Sequence, residues 1–261
     1  MVLIPHLIAL GLYALATAFA LAPFAGLRPV PRGLALGVPL AGVLVHGVAM
    51  TQVALVGVAP ALSMLALFLI LLQVVSEAAL RASAVALFTG PLATGLVGLA
   101  LVIGPGAGRP TAAPSAWSTL HITASILGLA LLALAFIAAA LYLLQFRALK
   151  AKRFGPVFRL FPPLERLDQL NYLALVLGFP AVTLGVLLGY GVRYAGGVAV
   201  DPAQVVWGTL TWLLLGWTVG VRVVRHWAGR RAAFASIASF TAVLLVYLAL
   251  KLSAPGTGRF L

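Results

Sequence analysis

The 261-residue chain contains no cysteine. That excludes disulfides, thiolate-held metals, iron–sulfur clusters and covalent thioether attachment of a haem, leaving nitrogen and oxygen as the ligand atoms. Acidic residues are nearly as scarce, with four Asp and Glu against seventeen Lys and Arg and a formal charge of +13. With so few carboxylates there is no acid–base pair, no Ser–His–Asp set, no phosphate loop and no H-E-x-x-H spacing, so neither a hydrolase nor a kinase is supported. Charge of any sign makes up 8% of the chain, while 63% is hydrophobic and the mean hydropathy is +1.16. Soluble domains are about half apolar and about a quarter charged, so this composition defines an integral membrane protein.

A bilayer core of about 30 Å needs about 20 apolar helical residues. Eight such segments are predicted, at 3–23, 34–58, 61–80, 84–104, 117–146, 170–192, 204–224 and 232–252. Breaks rich in Gly and Pro, such as "PFAGLRPVPRG" and "GPGAGRPTAAPSA", separate them. The N-terminal run lacks a basic leader and is read as a retained first helix. The predicted fold is an all-α polytopic helical bundle forming one integral-membrane domain over 1–261, with four spans in 1–104 and four in 117–252. Only 147–169 is long and charged enough to have structure outside the bilayer. Placing both termini outside puts thirteen of the seventeen basic residues inside and leaves Arg109, Arg193, Lys251 and Arg259 outside. Basic loops are retained on the cytoplasmic side, so both termini are expected to be extracytoplasmic. The excess charge then reflects topology and attraction to lipid head groups, not nucleic acid binding. Gly178, Gly185 and Gly189 are small residues that can bring helices close. There is no internal repeat and no inverted pair of broken helices, which weighs against a secondary transporter.

Ionisable groups inside a membrane are costly and therefore candidates for function. His46, in "VLVHGVAM", can ligate haem iron, relay protons, or hydrogen-bond to a neighbouring helix. His121 lies one turn into the fifth span below Trp117, where an interfacial solvated residue and a ligand are both possible. His6 stands near the outer end of the first span. His226, among arginines in "VRVVRHWAGRR", reads as part of a charged interfacial cluster. Gln73, Glu77 and Arg81 share one helix face, which suggests an internal Glu–Arg pair or a proton relay. Glu165 and Asp168 flank Arg166 and read as a solvated ion pair. With the second span drawn to residue 58, His46 is about twelve residues from its outer end and His121 about four, a depth difference of about 12 Å. On that basis His6 and His121 share the outer level and can pair, His46 and His121 are not expected to serve one haem unless a helix is broken or strongly tilted, and His46 needs water, a substrate or another residue opposite it.

The order "TLHITASILGLALLALAFIAAALYLLQFRALK", "FPPLERLDQLNYLALVLGFPAVTLGVLLGYG", "DPAQVVWGTLTWLL" and "HWAGRRAAFASI" resembles the cytochrome c assembly membrane-protein family over about 117–250. That family includes the CcsA-type haem-handling half of the system II cytochrome c synthetase and its shorter HemX-like relatives. The resemblance implies non-covalent haem b, with His121 as an extracytoplasmic axial ligand and His46 at a membrane-embedded haem site. Asp201 with Pro202 matches the end of the family's haem-presenting loop, Trp207 and Trp212 follow it, and His6 is the remaining source of a second outer ligand. The loop "VRYAGGVAVDPAQ" lacks that family's tryptophans, and no histidine follows the last span. These departures point to a HemX-like accessory in cytochrome c biogenesis rather than a complete synthetase. The implied partners are haem, membrane lipid, and apocytochrome c or a synthetase, in a bacterial-type inner (plasma) membrane. A structural or assembly subunit with degenerate haem sites is the alternative reading, and a small-molecule permease built on Glu77, Gln73 and His46 is the third.

Overall fold

The computed structural model describes residues 2–104, 115–152, 155, 161–196 and 202–253. These form eight long helices: α1 (Leu3–Leu21), α2 (Arg32–Met50), α3 (Val58–Leu80), α4 (Ala86–Ile103), α5 (Ala116–Lys150), α6 (Leu164–Gly196), α7 (Pro202–Val223) and α8 (Gly229–Ser253). Seven are long and apolar enough to cross a membrane, all but α7. In α7 the apolar run is diluted by Trp207, Trp212 and Trp217 and by Thr209, Thr211 and Thr218. The surface between helix ends is itself apolar, with Leu44, Val102, Leu187 and Leu245 all exposed. That is the pattern of a polytopic bundle whose backbone groups are satisfied within helices and whose flanks face lipid.

Breaks follow local chemistry. A 3₁₀ turn at Ala22–Ala25 is closed by left-handed Gly26 (φ 75°) after α1, and left-handed Gly57 (φ 89°) precedes α3. The Ser115 side chain accepts the Ser118 amide at 3.1 Å and caps α5. The second helix stops at Met50, eight residues before the end expected from hydropathy. The chain turns at Thr51, whose hydroxyl donates to Val48 O at 2.8 Å.

The helices make two four-membered rings. In the first, α1–α4 pack in sequence and close through α1 against α4. Its core is Tyr13, Ala66, Ile70, Ala93 and Val97. In the second, α5–α8 close through α5 against α8, and α3 packs on α5 to join the rings, with Leu69, Ala130 and Ala133 buried at the junction. The tightest pairing is α5 with α6. A Cβ at Gly128 would meet Val182 Cγ2 at 2.5 Å, and one at Gly178 would meet Leu131 Cβ at 3.2 Å. Small residues thus let these backbones approach closely enough for dispersion to hold them. Buried Asn171 donates to Ala135 O at 2.8 Å and to Ser236 Oγ at 2.9 Å, tying α6 to α5 and α8.

The basic end is held by Asp168. Its Oδ2 pairs with Arg222 at 2.9 Å, and its Oδ1 accepts the Gly229 amide at 2.9 Å. Arg222 also donates to Trp227 O at 2.9 Å. Arg166, expected to pair with its neighbours, reaches instead to Leu80 O at 3.4 Å. Asp168–Arg222 is the one ion pair among the described residues, because the helices bring sequence-distant partners closer than local ones. The Glu77–Arg81 pair expected within α3 is likewise not made. Arg81 leaves the helix in the left-handed conformation (φ 53°) as its C-terminal cap.

Candidate functional site

Two imidazole sites lie at the end of the bundle opposite the Asp168 clamp. Helix direction puts them there: His6 is in the first turn of α1, His46 in the last turn of α2, and His121 in the second turn of α5.

His6 and His46 face each other across α1 and α2, with ring centroids 5.2 Å apart in an edge-to-face arrangement. The early end of α2 removes the expected depth difference, so His46 meets His6 rather than lying deeper in the membrane. His46 Nδ1 is 3.1 Å from Tyr13 Oη and Nε2 is 2.7 Å from Ser63 Oγ. His6, His46, Tyr13 and Ser63 are all fully buried. His6 Nδ1 donates to Val2 O at 2.8 Å, which leaves the lone pair on Nε2, a buried atom without a partner among the described residues. Both nitrogens of His46 are therefore engaged, and the free lone pair belongs to His6. Tyr13 and Ser63 escaped the sequence reading. Tyr13 lies seven residues after His6, two helical turns along the same face, and that spacing was the available signal.

His121 is half-buried. Its Nδ1 donates to Gly185 O at 2.6 Å, which fixes the tautomer and leaves the lone pair on Nε2. The ring lies over Gly189, where a Cβ would sit 2.8 Å from His121 Cε1. Gly185 thus supplies the orienting carbonyl and Gly189 the space for the ring. An imidazole held through its other nitrogen by a carbonyl is the usual state of a metal-ligating histidine.

Trp207 and Trp212 lie inside the second ring. Trp207 Nε1 donates to Val243 O at 3.3 Å and its ring meets Tyr247 edge-on. Trp212 Nε1 donates to Thr183 Oγ1 at 2.9 Å and its ring stacks on Phe179 with centroids 5.8 Å apart. Both indoles therefore hold α7 against α6 and α8. Asp201 lies outside the described residues. His226 is exposed in a left-handed turn (φ 51°) between α7 and α8. No group of three or more His, Cys, Asp or Glu able to hold a metal ion occurs among the described residues, so an iron bound here would depend on porphyrin nitrogens with one or two imidazoles.

Fold and site together define a polytopic helical membrane protein that presents an imidazole, with its tautomer fixed, near one end of its bundle. The chain belongs to the cytochrome c assembly protein family, whose model matches residues 55–257. Among its relatives, the cytochrome c biogenesis protein CcsA of Guillardia theta is 28% identical over 160 residues, covering 54% of this chain and 53% of that protein. The CcsA protein of Chlamydomonas reinhardtii is 28% identical over 147 residues, covering 54% and 40%. That of Nostoc punctiforme is 33% identical over 96 residues, covering 35% and 27%. The matched stretch spans about half or less of the length of these relatives. His121, Trp207 and Trp212 fall within the family match, whereas His6, Tyr13 and His46 precede it.

Proposed function

We propose that this chain binds haem b without covalent attachment and handles it in cytochrome c biogenesis, as a HemX-like accessory with His121 as axial ligand. The observation that carries this reading is the His121–Gly185 hydrogen bond, which orients the imidazole and leaves Nε2 free. Family membership supplies the chemical context. Haem brings a planar iron porphyrin whose axial positions accept imidazole nitrogen. The protein's part is then to hold His121 in one tautomer, to keep Gly189 clear beneath the ring, and to fix α7 through Trp207 and Trp212.

For the second imidazole site, the free Nε2 makes His6 the readier donor. His46 can ligate iron only after it gives up Ser63 or Tyr13. The recipient of haem in this reading is apocytochrome c or a synthetase partner. The His121 end faces the extracytoplasmic side of a bacterial-type inner membrane, as the bias of basic residues toward the opposite end supports.

Absorption spectroscopy of detergent-purified protein supplied with haem tests the proposal. The expected result is a Soret band that is weakened in His121→Ala and unchanged in His226→Ala. A band unaffected by His121→Ala, or none in the wild type, overturns it. A stable partner co-purifying without haem would instead assign the chain to the structural class of subunit.

A further inference from the structure

At the basic end of the first ring, away from every imidazole, parts of α1, α2, α3 and α4 and the turns beside them line an open cleft, or chamber, of about 460 Å³. Its size is that of an ordinary small-molecule site. Its walls have two chemistries. Phe19, Phe24, Leu36 and Leu87 form an apolar side, and Gln73, Glu77 and Arg81 form a polar stripe that Arg32 of α2 joins at the mouth.

Gln73 and Glu77 stand at i, i+4 on one face of α3, and Arg81 is the residue that ends the helix. Gln73 is 5% exposed. Thr89 donates to its Oε1 at 2.6 Å, which orients the amide and leaves its NH₂ group without a partner among the described residues. The Arg81 guanidinium likewise has no hydrogen-bond or ion-pair partner among them. Its backbone is in the left-handed region (φ 53°), the position after a helix that glycine usually fills. An arginine there is an unfavourable choice for the backbone, and it keeps a cation at the mouth of the chamber. Arg32 donates at 3.4 Å to Glu77 O and Ala78 O and lies within electrostatic reach of the Glu77 side chain.

We propose that this chamber is a binding site for an anionic phospholipid with a hydroxyl-bearing head group. Its phosphate is held between Arg32 and Arg81, and one acyl chain lies along Phe19, Leu36 and Leu87. Two guanidiniums against one carboxylate leave an excess of one positive charge, which a phosphate monoanion neutralises. Glu77 accepts from the head-group hydroxyls, and the Gln73 amide donates to an ester carbonyl deeper in the chamber. Basic pockets between membrane helices hold anionic head groups by this combination of charge and apolar wall. The apolar wall distinguishes the ligand from a free phosphate, which would leave four large apolar side chains of the chamber without a partner.

Native mass spectrometry of the full chain in detergent tests this, with phosphatidylglycerol and phosphatidylcholine of equal chain length as probes and inorganic phosphate as a further arm. The expected result is one phosphatidylglycerol retained per chain, in preference to phosphatidylcholine and unaffected by free phosphate. Arg81→Gly keeps the left-handed cap and should unfold no more readily than the wild type, yet bind about fivefold more weakly, as should Arg32→Gln. Ala20→Trp places an indole in the chamber and leaves every charged residue in the sequence, and should weaken retention. Equal retention of both lipids, or an unchanged affinity in Arg81→Gly, overturns the proposal. So does displacement of the lipid by haem with the same sensitivity to Arg81→Gly, which would make the chamber a haem site. The readout needs no haem, so its failure is separable from failure of the haem-binding role.

Discussion

Gly189→Ala tests how the packing of α5 on α6 serves His121. The added methyl would lie 2.8 Å from His121 Cε1 and 3.1 Å from Nδ1, so the ring has to swing away from α6. That movement breaks the 2.6 Å hydrogen bond to Gly185 O, a loss of about 1 kcal/mol. Crowding the helix pair adds about 1–3 kcal/mol. Helix propensity offsets up to about 1 kcal/mol, because alanine replaces glycine inside a helix. The balance is a destabilisation of about 1–3 kcal/mol. Gly191, two residues further along α6, has nothing within 4 Å of an added Cβ. Gly191→Ala therefore gains the propensity without the clash. Thermal unfolding in detergent should place Gly189→Ala below the wild type and Gly191→Ala at or above it. Haem titration followed at the Soret band should show Gly189→Ala weakened by about 10–100-fold, the range for loss of an orienting partner, with Gly191→Ala unchanged. If both variants are as stable as the wild type and bind haem equally well, the role assigned to the His121–Gly185–Gly189 contact is wrong.

Asp168→Asn should lower stability by about 3 kcal/mol, because it leaves the nearly buried Arg222 guanidinium without its counter-charge; a melting temperature equal to that of the wild type would contradict the clamp at the basic end. Tyr13→Phe removes one hydrogen bond to His46 and should cost about 1 kcal/mol, read by the same melts, whereas a stabilised variant would show that the bond is not made. Gly128→Ala places a methyl against Val182 and should destabilise by about 1–3 kcal/mol, so tolerance of alanine there would refute the close approach of α5 and α6.

Hydropathy located the helices because a span of apolar residues in lipid has few alternatives to helix. It misplaced the end of α2 because Val53, Ala54, Leu55 and Val56 are as apolar in a turn as in a helix. The signals that end the helix are polar Thr51 and Gln52 and left-handed Gly57. That displacement changed which imidazoles share a level, joining His6 to His46 where the depth argument had allowed His6 to pair with His121. The charged stretch after α5 was expected to have structure outside the bilayer, and helix runs into it from both sides, through Lys150 and from Leu164. Asp168 was read with its sequence neighbour Arg166 because spacing reports only contacts within a helix; its true partner, Arg222, comes from α7. Gly185 and Gly189 were legible as close-packing positions, but composition could not indicate that the side chain they accommodate is His121. The family match begins at residue 55, so the contact between His6 and His46 lies outside it.

The core of the first ring has a consequence for traffic through the molecule. Tyr13, Ala66, Ile70, Ala93 and Val97 are fully buried in it, with the buried His6–His46 pair against Tyr13 at the imidazole end. The chamber lies at the opposite end of this layer, and none of the five residues lines it. A ligand bound at that end is separated from the imidazole pair by this layer of buried side chains.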